Sequence, residues 1–143
     1  MSFILFLHVS AAAVALGTVT VTDYVMLKAM KKADFRPTVI NVIPHLSKII
    51  TVCLIALYAT GLLLLTQKIG LLSSPVFQTK LGLVLLLTVN GFWLNLRISP
   101  AIRKLWGANA QARIPKPLLW QARLSGAISV VSWWGAFFMA IYF

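Results

Sequence analysis

Two ionisable side chains, His8 and Lys80, lie within long apolar stretches of the sequence, where a charged group is costly. His8 comes five residues after Phe3, and the next charged residue along the chain is Asp23. A neutral imidazole can ligate a metal or a haem iron, and a lysine ammonium can pair with a carboxylate such as a porphyrin propionate. His8 is therefore the candidate metal ligand, and Lys80 is its candidate partner in a cofactor site.

Depth along the helices decides which other groups can join this site. At about 1.5 Å per residue, His8 and Lys80 both lie roughly 8 Å inside the same face of the membrane. Tyr58 approaches that level, and so does Met139, which is a candidate second axial ligand. His45 is roughly 20 Å away in depth, so one haem iron cannot take both histidines from one chain. A deprotonated Lys80 or a second copy of the chain is the other source of a second ligand.

A second polar layer lies near the opposite face and centres on Asp23. Lys48, Arg97 and Arg123 come at a similar depth in the neighbouring helices. Because charges at helix ends commonly reach the interface and pair there, we expect Asp23 to form an ion pair with one of these cations. A proton relay through Asp23 is the alternative.

The composition places these residues in a membrane protein. The chain has 143 residues, of which 60% are hydrophobic and 10% are charged, whereas about a quarter of a soluble domain is charged. Four apolar stretches are near or above the about 20 residues that cross a bilayer as a helix, and they predict spans at about 3–27, 46–67, 76–98 and 120–142. Continuous apolar runs favour helices over a barrel. The sequence therefore predicts an all-α, integral membrane four-helix up-down bundle that forms one domain, residues 1–143.

The basic residues predict how this bundle is oriented. The formal net charge is +11, and the basic residues concentrate in the first connection (Lys28, Lys31, Lys32, Arg36, Lys48) and the third (Arg97, Arg103, Lys104, Arg113, Lys116, Arg123). The positive-inside rule puts these two connections in the cytoplasm and both termini outside, in the cytoplasmic membrane of the cell. The expected partners are the lipid bilayer and its anionic headgroups at the cytoplasmic face, with no nucleic acid. A homodimer is compatible with a bundle whose interior is this thin.

The connections carry signals of their own. Pro44 is placed to begin the second helix, because proline fits a first helical turn, and residues 38–43 either lie in the interface or extend that helix beyond a proline kink. Apolar residues around Arg103 and Lys104 predict a short amphipathic helix on the cytoplasmic membrane surface. Four aromatic residues fall where an interfacial belt is expected: Trp106, Trp120, Tyr142 and Phe143.

Three segments resemble a known family. The third span, FQTKLGLVLLLTVNGFWLNLRISP, has a lysine, a leucine-rich helix, and then an Asn and a basic residue before Pro. It resembles the copper resistance D (CopD-like) membrane domain, and FLHVSAAAVALGTVTVTD and HLSKIITVCLIALYATGLLLL look like the first and second helices of that group. The same superfamily includes the HemJ-type protoporphyrinogen oxidases, which are similar in length. The resemblance implies that His8 is a haem or metal ligand and that Lys80 is the third-helix lysine.

Three functions stay open at this point. The first is a haem b-binding membrane protein, redox-active or acting on porphyrins as a HemJ-like oxidoreductase does, with His8 as axial ligand and a pocket that includes Tyr58, Lys80 and Met139. The second is transport of copper, protons or a small solute along a path lined by Asp23, Asn90, His8 and Lys80; copper(I) prefers clustered Met, Cys and His ligands. The third is a structural accessory subunit whose polar residues only pack helices together.

Overall fold

The structure is a computed structural model that describes residues 2–142. It is 91% helix, and no strand occurs in the part of the chain that it describes. The predicted all-α fold class is therefore confirmed. Five α-helices follow one another: α1 (Phe3–Lys31), α2 (Arg36–Gln67), α3 (Pro75–Trp93), α4 (Ser99–Ala108) and α5 (Lys116–Ala140).

Three helical segments between residues 2 and 142 are long and apolar enough to cross a membrane. They are Phe3–Lys31, Ala33–Gln67 and Pro75–Ala108. The predicted fourth span, 120–142, falls on α5, which has 25 residues but is not among the three. The polar residues of α5 include Ser125, Ser129 and Ser132, and all three are buried against the rest of the chain.

The second helix begins well before Pro44. Arg36 is its first residue, Pro37 occupies its first turn, and Pro44 lies inside the helix. The prediction that Pro44 begins this helix is therefore wrong, and the alternative, in which residues 38–43 extend the helix, is confirmed. Val39 and Ile43 are buried, so tertiary packing holds the turns on the N-terminal side of the proline.

A wide turn joins α3 to α4. Residues Leu94–Ile98 form a π-helix, and the Ser99 amide donates to the Leu94 carbonyl five residues earlier. Pro100 follows at once and has no amide hydrogen, and its ring would crowd the carbonyl four residues before it in a regular helix. The widened turn relieves that clash, so Pro75–Ala108 forms one continuous helical rod.

The helix predicted around Arg103 is present as α4, and the rest of the protein covers its apolar face. Ile102 and Trp106 in α4 are 0% and 1% exposed, so the apolar face of this helix packs into the protein. Placing Trp106 in an interfacial belt is wrong for the same reason. Trp120 and Tyr142 are exposed, as a belt requires, whereas Phe143 lies outside the described residues.

The helices pack as two pairs, α1 along α2 and α3 along α5. One core, which we call the base cluster, joins the pairs near the two basic connections; it consists of Ala29, Val39, Ile43, Ile98, Ile102, Trp106 and Ala122. A smaller middle cluster contains Ala15, Val19, Leu87 and Trp133. Because α2 and α3 approach each other little, the two clusters leave open space between the pairs.

A buried polar contact fastens the second pair. The Asn90 side-chain amide donates to the Ser125 carbonyl at 2.9 Å, and the Ser125 hydroxyl donates to Asn90 Oδ1 at 2.7 Å. Both residues are buried. Interhelical hydrogen bonds of this kind hold helices together where the surroundings offer no other partner.

Candidate functional site

His8 is held against α2 by a hydrogen bond that also settles its tautomer. Its Nδ1 lies 2.8 Å from Thr60 Oγ1, and the Thr60 hydroxyl donates to the Ala56 carbonyl at 2.6 Å. Because the threonine proton is used on that carbonyl, Thr60 Oγ1 accepts a hydrogen bond from His8 Nδ1–H. A neutral His8 therefore keeps its lone pair on Nε2, the atom that can ligate an ion.

Gly61 allows the imidazole to approach the backbone of α2 closely. A Cβ atom at Gly61 would lie 3.4 Å from His8 Cε1 and 3.9 Å from Nδ1. The ring is therefore packed edge-on against this glycine, one residue after its hydrogen-bond partner Thr60. A histidine anchored through one nitrogen in this way is typical of metal ligands, whose other ring nitrogen is commonly hydrogen-bonded.

Lys80 lies in the second turn of α3 and is half-buried. Its pairing with His8 at one level stays a prediction.

Tyr58 and Met139 take different positions. The Thr88 hydroxyl donates to the Val84 carbonyl, so the Tyr58 hydroxyl donates to Thr88 Oγ1, at 2.8 Å, and links α2 to α3. Met139 is half-buried at the end of α5. Tyr58 thus uses its polar atom between the two helix pairs, while Met139 stays a predicted axial ligand.

A cavity of about 290 Å³ lies between the two helix pairs, on the side of the middle cluster towards the base cluster. Its wall is mostly apolar and includes Leu54, Leu87 and Trp133. Two charged side chains, Asp23 of α1 and Arg123 of α5, also line it. Hydroxyl and amide groups complete the wall: Thr22, Ser47, Thr51, Thr88, Asn95, Ser99 and Ser129. An apolar cavity with a few convergent polar groups is the usual form of a small-molecule site.

Asp23 does not form the predicted ion pair. Its Oδ2 atom is buried and has no hydrogen-bond partner, and no charged group in residues 2–142 compensates its burial. Lys48, Arg97 and Arg123 are exposed, and none of them forms an ion pair with Asp23. An acceptor shielded from water and left without a donor costs free energy, so a donor supplied from outside the chain would stabilise Asp23.

The candidate copper ligands are not clustered. No group of three or more His, Cys, Asp or Glu side chains that could hold a metal ion occurs among the residues that the structure describes. Met26 and Met30 line the cavity, whereas Cys53 packs against the middle cluster. Copper transport therefore stays a prediction without a ligand set.

Sequence reasoning missed three contributors to these sites: Thr60, Gly61 and the cavity itself. A threonine and a glycine in a transmembrane pattern usually indicate close helix packing, and nothing in their spacing singles out the two that face His8. The cavity depends on the distance between the two helix pairs, which a local sequence pattern does not determine. Asp23, which the sequence singled out, lines this cavity.

Comparison with known proteins adds no relative. No family model, no curated protein and no solved structure matches this chain. Membership of the CopD-like and HemJ-type superfamily therefore stays a prediction from the segments quoted above.

Proposed function

We propose that this chain is a four-span protein of the cytoplasmic membrane, with α5 as the fourth span and both termini outside. Eleven of the thirteen Lys and Arg residues belong to the first and third connections, which supports a cytoplasmic position for both. The buried serines of α5 lower its hydropathy without exposing hydroxyls to lipid, which makes a fourth span compatible with its composition. Anionic headgroups would then lie against the basic connections, and a homodimer stays a prediction.

We propose further that the protein binds a small amphipathic solute in the cavity between the helix pairs and carries it across the membrane. The observation that carries this proposal is that Asp23 and Arg123 both line one mostly apolar cavity, while Asp23 has no partner within the described chain. A solute with an apolar body and a polar head that donates a hydrogen bond would satisfy the unpartnered oxygen of Asp23. Charged residues inside a membrane domain commonly mark such substrate paths.

Gly126 offers a way to fill this cavity without disturbing the fold. It lines the cavity, and a Cβ atom there would meet nothing within 4 Å. The same holds for Gly17, which does not line the cavity, so Gly17→Leu is the matched control for Gly126→Leu. Trp133 lies in the cavity wall and reports on binding through its fluorescence.

The binding test titrates purified protein with a ring-brominated hexylphenol and with its methyl ether. Bromine quenches tryptophan on contact, so we expect saturable quenching in the wild type and in Gly17→Leu and its loss in Gly126→Leu. Absence of saturable quenching by both probes, or equal quenching in Gly126→Leu, would contradict the proposed cavity site. Uptake of the bound probe into proteoliposomes then tests transport, and uptake equal to that of protein-free vesicles would contradict it.

A second candidate function is binding of haem b at His8. The Thr60 contact supports it, because it fixes Nδ1 as the donor and leaves Nε2 as the nitrogen that can ligate iron. The side chains therefore fit a haem ligand in chemistry, with Lys80 as the candidate partner of a propionate and Met139 as the candidate second ligand. Haem, when bound, would supply one-electron redox chemistry.

The haem test compares the two histidines of the chain. We expect protein purified after haem supplementation to show a Soret absorbance band that His8→Ala abolishes. His45 is exposed and takes no part in the proposed site, so His45→Ala should leave the band intact. Colourless wild-type protein, or a band that His8→Ala does not change, would end this candidate.

A further inference from the structure

A second cleft lies on the outer side of the seam between α1 and α5. Four of its lining residues, Val19, Asp23, Leu27 and Val130, also line the cavity. The residues that line the cleft alone are Thr20 and Tyr24 of α1 and Trp134 of α5, and we call these three its mouth. The cleft and the cavity therefore share four side chains, and Asp23 is the one charged group among them.

The mouth of the cleft faces outward from the helix bundle. Thr20, Tyr24 and Trp134 are exposed, and Trp134 belongs to an exposed aromatic group with Phe137 and Phe138, at ring-centroid distances of 6.1 and 6.2 Å from them. α1 contacts α5 far less than it contacts α2. In a four-span bundle this seam would face the lipid, so the cleft would open into the bilayer rather than into water.

From these contacts we infer that the cavity is entered sideways, through the α1–α5 seam, by a bilayer-soluble molecule that carries a hydroxyl group, of the chemical class of an alkylphenol. This inference rests on the proposed cavity function and names its substrate class and entry route. A hydroxyl group donates one hydrogen bond and carries no charge, so it can donate to the unpartnered Oδ2 of Asp23.

The charges favour a hydroxyl over a protonated amine. Arg123 lines the same cavity as Asp23. The Asp23 carboxylate would attract an ammonium head, but the Arg123 guanidinium would repel it. The chain also carries a net charge of +11, much of it on the connections beside the base cluster. The buried, unpartnered Oδ2 of Asp23 needs a donor, and a neutral O–H supplies one without bringing a second positive charge to Arg123.

The substrate class is tested with the brominated hexylphenol and its methyl ether, which differ only in the donor. We expect the phenol to bind about tenfold more tightly, which is the size of one hydrogen bond to a charged group. Asp23→Leu should remove this preference and leave ether binding unchanged, and unchanged ether binding also shows that the variant is folded. Asp34→Leu is the control, because Asp34 is exposed and outside the cavity, and it should keep the full preference.

Two results would overturn the hydroxyl assignment while leaving the cavity site in place. One is equal binding of phenol and ether by the wild type, and the other is a phenol preference that persists in Asp23→Leu. Failure of both probes to bind would instead contradict the cavity function itself. The two proposals therefore fail in distinguishable ways.

The entry route is tested by kinetics in vesicles whose bilayer already holds the phenol. Thr20→Trp narrows the mouth of the cleft without touching the cavity, so we expect association and dissociation to slow together by about tenfold while the Kd stays the same. Val52→Trp places the same bulk on an exposed position of α2 that lines neither space and should change neither rate. Unchanged rates in Thr20→Trp at an unchanged Kd would overturn sideways entry through this seam.

Discussion

The two ends of the helix bundle are built differently. Near the basic connections, Trp106, Ile98, Ile102 and Val39 are the largest fully buried apolar side chains, and they belong to one core. In α1, α2 and α3 at the His8 end, which we define as residues 3–14, 52–67 and 75–86, the structure describes no buried residue. The fifth helix packs against Leu83 at Gly135 and buries the neighbouring Ala136. There the helices are joined through polar side chains such as His8 and Thr60.

Arg36 connects several structural elements at the base-cluster end of the bundle. Its guanidinium donates to the carbonyls of Ala29, Ala110 and Ala112 and lies 4.8 Å from the centre of the Trp106 ring. One cation thus ties α1, α4 and the loop before α5 to the start of α2. The comparison teaches that apolar burial joins the elements at the base, while α1 and α2 meet at the His8 end through a side-chain hydrogen bond.

The largest expected effect comes from truncating Trp106, which belongs to the base cluster. Trp106→Ala should lower the free energy of unfolding by ~3–5 kcal/mol, because a fully buried aromatic side chain leaves a cavity that neighbours only partly fill. Thermal unfolding in one detergent measures this loss. Trp120→Ala is the control, since Trp120 is 66% exposed and should change stability little; equal losses in both variants would show that the base is not the better-packed end.

Arg36→Lys should have an intermediate effect. Lysine keeps the charge but cannot donate through a planar fork to several carbonyls, so we expect a loss of about 2 kcal/mol and faster proteolysis of the loop at residues 109–115. Arg113→Lys changes an exposed residue of the same loop and should leave both quantities unchanged. Unchanged protease resistance in Arg36→Lys would mean that the carbonyl contacts do not hold this loop.

The smallest expected effect lies at the His8 end. Thr60→Val removes the acceptor for His8 Nδ1 and should cost about 1 kcal/mol, because the remaining contacts there are loose. Thr66→Val serves as the control: the Thr66 hydroxyl donates only to the Leu63 carbonyl of its own helix. Thermal unfolding of Thr60→Val, Thr66→Val, Trp106→Ala and Trp120→Ala in parallel measures these losses. A loss in Thr60→Val as large as that in Trp106→Ala would show that the His8 end is held as firmly as the base.

The parts of the fold that depend on composition could be predicted from the sequence. Long apolar runs allow only helices at this length. The helices α1 and α2 and the rod Pro75–Ala108 contain the first three predicted segments, whereas α5 ends at Ala140, before the fourth predicted segment ends at 142. The start of α2 was misplaced because Pro44 satisfies the local rule for a helix start, while the burial of Val39 and Ile43 that overrides it is a tertiary effect. Trp106 was misplaced because an amphipathic pattern predicts an apolar face without naming what covers it.

The candidate sites were predictable to the level of single residues but not of their partners. The rarity of charge in apolar stretches singles out His8, Lys80 and Asp23, and the grouping of the first two by depth stays a prediction. The Asp23 ion pair was wrong because equal depth does not bring side chains of different helices to the same side. Tyr58 was assigned to the His8 level, yet its hydroxyl binds Thr88, which only the spacing of α2 and α3 reveals.

The π-helical turn at Leu94–Ile98 sets the angular position, about the helix axis, of every side chain that follows it in Pro75–Ala108. In a regular α-helix each residue advances the side chain by about 100°, so one extra residue in a turn offsets the angular position of every later side chain by that amount. Ile102 and Trp106 face the base cluster because of this offset. Deleting one residue from 94–98 would therefore rotate all later side chains of the rod by about 100° about the helix axis. This rotation would turn Trp106 out of the base cluster.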